Sequence, residues 1–172
     1  RDTDDEHIAI PSLLAVSAVH HYLIEVGKRV QTALIVESGE IREVMHAALL
    51  LGYGASALCP YMTYAILDDL VKRGKIQENY ATAEANYIAA VKKGLLKIMA
   101  KMGISTIRSY RGAQIFEAVG LSEGLLRTYF GTETSSIGGI GLDTIARDAV
   151  RFHDEAKKEL EKGVDKPLPN LG

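Results

Sequence analysis

Two polar clusters follow short apolar runs: "ESGE" at 37–40 and "SYRGAQ" at 109–114. In α/β proteins the carboxyl end of a strand is where ligands usually sit. Arg111 carries a planar fork of donors suited to a carboxylate or phosphate, and Glu37 is an acidic partner available in the same layer. If the two preceding strands are neighbours, Glu37 and Arg111 meet across the sheet end. Such a pair fits a ligand site, with Ser38, Tyr110 and Gln114 as flanking contacts. It fits equally an ion pair between elements or domains, because charge pairs at strand ends are also structural.

Other motifs have weaker geometry. "GYGASA" at 52–57 satisfies the relaxed dinucleotide fingerprint G-x-G-x-x-A, but its glycines follow a helical pattern and precede a strand pattern. Pyrophosphate binding needs the reverse order, so a helix C-cap at Gly52 or Gly54 is the better reading. "GGIGL" at 138–142 could offer backbone amides to a phosphate. No lysine followed by Ser or Thr comes after it in P-loop fashion, which favours a turn. His20 and His21 are adjacent and point about 100° apart on a helix, a poor chelating arrangement. His46 and His153 have no partner at metal-motif spacing, and all four read as surface or internally satisfied histidines. Lys93, Lys97 and Lys101, with Lys92 beside them, form a stripe that reads as a solvated helix face.

The elements that must position these groups alternate. Residues 11–26 form a helix that begins with Pro11 and ends before Gly27. "QTALIVES" at 31–38 reads as a buried parallel strand, "EIREVMHAALLLGYG" as a helix and "ASALCP" as a second strand stopped by Pro60. "YMTYAILDDLVKRG" is a helix with Lys72 and Arg73 at its C-terminal dipole. The longest helix covers 83–102, where Ile88, Val91, Leu95, Ile98, Met99 and Met102 recur at helical spacing. A third strand is expected from about Ser105 to Tyr110. "SEGLLRTYF" then gives a short helix capped by Ser122, and the segment from Leu142 gives a final amphipathic helix. This order predicts an α/β fold: parallel strands alternating with helices, a partial TIM-barrel-like layer with extra C-terminal helices.

Composition agrees with a packed domain. The 172 residues are 47% hydrophobic and 24% charged, with a formal net charge of −2 and a pI near 6.2. That balance gives no electrostatic footprint for nucleic acid and no attraction to an anionic membrane. No apolar run reaches spanning length and no signal segment opens the chain. The single cysteine, Cys59, offers neither an internal disulfide nor a cysteine metal site. A cytoplasmic setting is the expectation. The chain opens without methionine in the acidic stretch "RDTDDEH" and closes in the linker-like "KGVDKPLPNLG", so both ends read as cuts through a larger protein. The expected division is a leader over 1–10, one domain over 11–160 and a linker over 161–172.

Longer blocks carry a resemblance. "LLAVSAVHHYLI", "VESGEIREVMHAALLLGYGASALCPY", "NYIAAVKKGLLKIMAKMGISTIRSYRGAQIFEAVGL" and "IGGIGLDTIARDAVRFH" together resemble the central region of the glutamate synthase large subunit, from about Pro11 to His153. The resemblance implies a piece of an oxidoreductase that uses glutamine and 2-oxoglutarate. In that family ammonia is released in an amidotransferase domain and travels through an internal channel to a flavin-bearing barrel, where glutamate is formed. FMN and an iron-sulfur cluster are the family's cofactors, and electrons come from a pyridine nucleotide or ferredoxin.

No catalytic residue of the family maps onto this sequence. Cys59 is internal, the closely spaced cluster cysteines are absent, and so are the flavin-binding segments. The resemblance therefore implies a non-catalytic coupling domain that holds no cofactor of its own and contacts the amidotransferase and FMN domains. Glu37, Ser38, Tyr110, Arg111 and Gln114 are its candidate inter-domain or channel contacts. Self-association is expected when such a domain is isolated. Two alternatives stand beside it: a flavin or anion site built from Arg111 and the amides near Gly139 and Gly141, or a free-standing module that docks a separate subunit.

Overall fold

Helices pack beside a short parallel strand pair in a computed structural model that describes residues 3–131 and 135–161; no residue of either strand is fully buried, so the run expected as a buried strand lies partly exposed. Helix α1, Ser12–Glu25, starts at Pro11 as its φ preference allows. Its first turn is held from a distance: the Ser12 amide donates to a Glu40 carboxylate oxygen at 2.8 Å. A carboxylate there both accepts an otherwise orphaned N–H and complements the positive end of the helix dipole. The "ESGE" cluster thus ties α1 to the sheet end.

A 3₁₀ turn at Arg29–Gln31 precedes β1, Ile35–Glu37. The strand is shorter than the run "QTALIVES": Gln31 ends that turn and Thr32 caps it, its carbonyl accepting from the Arg29 guanidinium. Helix α2, Val44–Gly52, then leads to β2, Ala57–Cys59. The strands pair in parallel with Ile35 opposite Ala57, Val36 opposite Leu58 and Glu37 opposite Cys59. Gly54 makes the reversal between α2 and β2 at φ +115°, and a Cβ there would run into the His20 ring. The "GYGASA" glycines therefore close a helix and sit under a histidine.

Helix α3, Tyr61–Lys72, is followed by α4, Tyr80–Lys101, whose N-cap Asn79 accepts from the Thr82 amide at 2.9 Å. Met99 is the buried anchor of α4, with Leu95 and Ile98 half-buried beside it, while Lys92, Lys93, Lys97 and Lys101 are exposed. The lysine stripe is a solvated face.

The expected third strand is absent. Residues 107–110 form a single helical turn, α5, Ile107–Tyr110. Thr106 caps it, its hydroxyl oxygen accepting from the Ser109 amide at 3.2 Å. The Thr106 cap thus favours a helical turn over the extended backbone expected here. Among the described residues the sheet has two strands, so the class is α/β with a short parallel sheet and a predominance of helix.

Ser122 caps α6, Glu123–Leu125, as expected, and the chain continues into a wide π turn, Leu126–Phe130. Segment 118–122 then runs parallel to 135–140, with Ile140 N–H donating to Gly120 O at 2.9 Å and Gly120 N–H donating to Ile137 O at 2.8 Å. The "GGIGL" stretch is therefore stitched to another loop. The last helix, α7, is Leu142–Glu161, and none of its described side chains is fully buried. Residues 1–2 of the expected leader and 162–172 of the expected linker lie outside the described residues.

Two apolar clusters form the interior. Val16, Ile41, Leu50, Leu51, Ala55, Met99 and Tyr110 join α1, α2, α4 and α5, while Leu14, Leu125, Leu126 and Phe130 join α1 to the π turn. Burial of such side chains away from water is the main force holding these elements together.

Candidate functional site

The segment "SYRGAQ" does not stand at a strand exit. After α5 it turns back across the end of α2, where Gly112 N–H donates to Gly52 O at 2.8 Å and Gln114 adopts a left-handed φ of +51°. A residue other than glycine in that region costs roughly 1–3 kcal/mol unless its surroundings impose it. The turn lines a cavity of about 750 Å³ between the end of α2, the later half of α1 and the π turn. His20, His21, Tyr53, Arg111, Gln114 and Phe116 face it.

Tyr110 and Arg111 are neighbours with different roles. Tyr110 is completely buried, its hydroxyl donating to the Ala48 carbonyl at 3.2 Å. Burial raises the phenol pKa, so it remains a protonated donor inside the core. Arg111 is half-buried and donates through one terminal nitrogen to Ser56 Oγ at 3.2 Å, while its Nε is enclosed without a partner.

Ser56 lies just before β2, next to Leu34, whereas Glu37 lies beside Cys59 at the other end of the strand pair. At about 3.3 Å per residue the two ends are roughly 10 Å apart. Arg111 and Glu37 therefore do not meet across the carboxyl end of the sheet. The parallel register, together with the loss of the third strand, moves Arg111 to the amino end. Glu37 Oε1 instead approaches the Cys59 thiol at 4.0 Å, and Ser38 belongs to the turn into α2, its amide donating to Cys59 O and its hydroxyl accepting from the Glu40 amide.

The polar network around the cavity includes residues that sequence reading set aside or missed. Arg29 donates through Nε to His20 Nδ1 at 2.7 Å and through its terminal nitrogens to the carbonyls of Thr32 and Gly54, each at 2.6 Å. Accepting through Nδ1 requires a neutral ring with its proton on Nε2. Desolvation, followed by the charges of Arg29, His21 and Arg111, holds the His20 pKa at about 4, below its usual 6.5. His21 has the opposite arrangement: Nδ1 donates to the Ser17 carbonyl at 2.8 Å, and the two rings meet edge to face with centroids 5.1 Å apart. Fully buried Ser17 donates to Tyr129 O at 2.6 Å, which fastens the π turn to α1. An arginine nine residues beyond a helical histidine carries no recognised sequence signal.

His46 also has a structural task, Nδ1 accepting from the amides of Arg42 and Glu43 at the start of α2. Among the described residues no cluster of three metal-ligating side chains forms, and no helix is long and apolar enough to cross a membrane. Gly139 and Gly141 do not line the cavity that Arg111 faces.

Comparison with known proteins places this sequence in a family. The glutamate synthase central domain model matches residues 1–122. The chain is 50% identical over 168 residues to the large chain of an NADPH glutamate synthase of Bacillus subtilis, covering 95% of this chain and 11% of that one. It is 39% identical over 174 residues to the NADH glutamate synthase of Schizosaccharomyces pombe, with 100% and 8% covered. A ferredoxin-dependent, chloroplastic glutamate synthase of spinach is 41% identical over 174 residues, with 95% and 10% covered. The chain thus spans about a tenth of the length of these relatives. It belongs to the glutamate synthase central domain family.

Proposed function

We propose that the chain acts as a non-catalytic coupling segment of a glutamate synthase, holding an amidotransferase domain and an FMN domain in register and lining part of the ammonia route between them. The observation that carries this reading is the match itself, almost the whole chain against about a tenth of each relative. The surface agrees: Val30 is 94% exposed, Ile35 75% and Ile10 66%, apolar groups suited to cover by neighbouring domains. Relatives named for NADPH, NADH and ferredoxin all align with this segment, which suits a part that does not choose the electron donor.

In this reading the unit is residues 11–160, FMN and the iron-sulfur cluster belong to other parts of the subunit, and the working location is the cytoplasm. The two strands with their covering helices form a fragment of a barrel-like layer. Glu37, Ser38, Tyr110, Arg111 and Gln114 act as structural or inter-domain residues, with Tyr110 internal and Arg111 and Gln114 on the cavity wall.

The test is made in a full-length enzyme of the family carrying Ile35→Asp. Glutamine-dependent glutamate formation is expected to fall severalfold while ammonia-dependent formation and glutamine hydrolysis persist. Glutamine hydrolysis or 2-oxoglutarate reduction by the 172-residue chain alone would overturn the reading.

A further inference from the structure

The wall of the 750 Å³ cavity carries positive charge that the described residues leave unneutralised. Arg111 places one N–H on a neutral hydroxyl and encloses its Nε without an acceptor. Behind it Arg29 donates, among the described residues, to neutral groups, the His20 ring and two carbonyls. The two guanidinium groups are close enough that the charge of Arg111 acts against the proton of Arg29. Like charges held together without a carboxylate normally mark a place where an anion completes the arrangement. Glu117, the one carboxylate among the described residues of the wall, is exposed and forms no ion pair with another described residue.

We propose that Arg111, backed by Arg29 and His20, forms an oxyanion-binding site in this cavity that takes a carboxylate or phosphate group. Arg111 supplies the charge-assisted donors, and its terminal nitrogens carry three N–H groups beyond the one given to Ser56. Arg29, locked by three hydrogen bonds, is a positioning residue that adds charge and fixes the His20 ring. Tyr53 and Gln114, on the same wall, bring further polar groups to the cavity. The inference goes beyond the coupling role, because it assigns a ligand chemistry to a cavity that a passive spacer would not need.

The experiment titrates the isotopically labelled 172-residue chain with inorganic phosphate and, separately, with acetate, following the arginine Nε–H and histidine ring signals by NMR. Saturable shifts at Arg111 and His20 with a dissociation constant in the range of about 1–10 mM are expected. Arg111→Met is expected to weaken binding at least about tenfold, Arg111→Lys to retain part of it, and Lys93→Met to leave it unchanged; amide spectra report whether each variant is folded. The same titration in a full-length enzyme of the family identifies the source of the anion. Binding in both proteins assigns a free anion, and binding only in the 172-residue chain assigns a carboxylate donated by a neighbouring segment. Absence of saturable shifts in the folded wild-type chain, or equal weakening by Arg111→Met and Lys93→Met, overturns the proposal. Either failure leaves the coupling reading intact, because that reading is tested by activity ratios.

Discussion

Gly94 sits inside α4, where general helix propensity and local packing make opposite demands. In an exposed helix interior, replacing glycine with alanine stabilises by about 1 kcal/mol. Here a Cβ would lie 2.5 Å from Val44 Cγ2, 2.6 Å from Cγ1 and 3.1 Å from Cβ, since α4 crosses the first turn of α2 at this point. Valine has a stiff χ1, and a staggered rotation can turn only one of the two methyls away. The helices must therefore separate, and overpacking of this kind costs about 1–3 kcal/mol. Subtracting the propensity gain leaves Gly94→Ala destabilising by about 1 kcal/mol, within a range of roughly 0–2. For a chain of this size that lowers Tm by about 2–4 °C. Thermal and urea unfolding of the single variants and the Val44→Ala/Gly94→Ala pair check the argument. In the pair both obstructing methyls are gone, so the two substitutions should couple favourably by at least about 1 kcal/mol. A more stable Gly94→Ala variant, or strictly additive substitutions, would refute the steric reasoning.

Two further outcomes follow from the buried polar groups. Tyr110→Phe removes only the hydroxyl that donates to Ala48 O, so it should destabilise by about 0.5–1.5 kcal/mol, read as a lower urea midpoint with an unchanged slope. His20 has a folded pKa of about 4 against 6.5 for the free side chain, so the unfolded chain binds the proton more readily. The stabilising effect of the neutral ring is fully present above pH 6.5 and is lost as pH falls towards 4. His20→Asn keeps an acceptor for Arg29 without titrating, and should flatten this part of the stability profile; an unchanged slope would show that the ring is not held neutral.

Much of the architecture was legible because it is local. Pro11 before α1, the glycines at 52 and 54 and Ser122 before α6 each satisfy backbone groups within one turn of themselves, whereas the Asn79 cap that starts α4 at Tyr80, ahead of the expected residue 83, was not read from the sequence. The apolar repeat of α4 found Met99 as its buried anchor, and the lysines opposite it remained in solvent. The segment from 105 to 110 failed for the same reason that the others succeeded. Its apolar residues suggested a strand, but the Thr106 cap, a signal of the kind that marked the other helices, made a helical turn. Arg111 and Gln114 were singled out for their chemistry and do line a cavity, but Arg111 rests at the opposite end of the strand pair from Glu37.

What the sequence determined by itself was the helical frame, the parallel pair of strands and the family, since propensity, capping and long ordered blocks are properties of neighbouring residues. Only tertiary structure decided which distant groups meet. Glu40 reaches the first turn of α1, Ser17 fastens the π turn, and Arg29 inserts between His20 and Gly54 while Arg111 rests on Ser56. Those contacts depend on how helices cross and on strand register, and a single chain's residue pattern encodes neither through local spacing. The site's character follows from that crossing: two guanidinium groups, Arg111 on the cavity wall and Arg29 behind it, brought together with only neutral partners among the described residues.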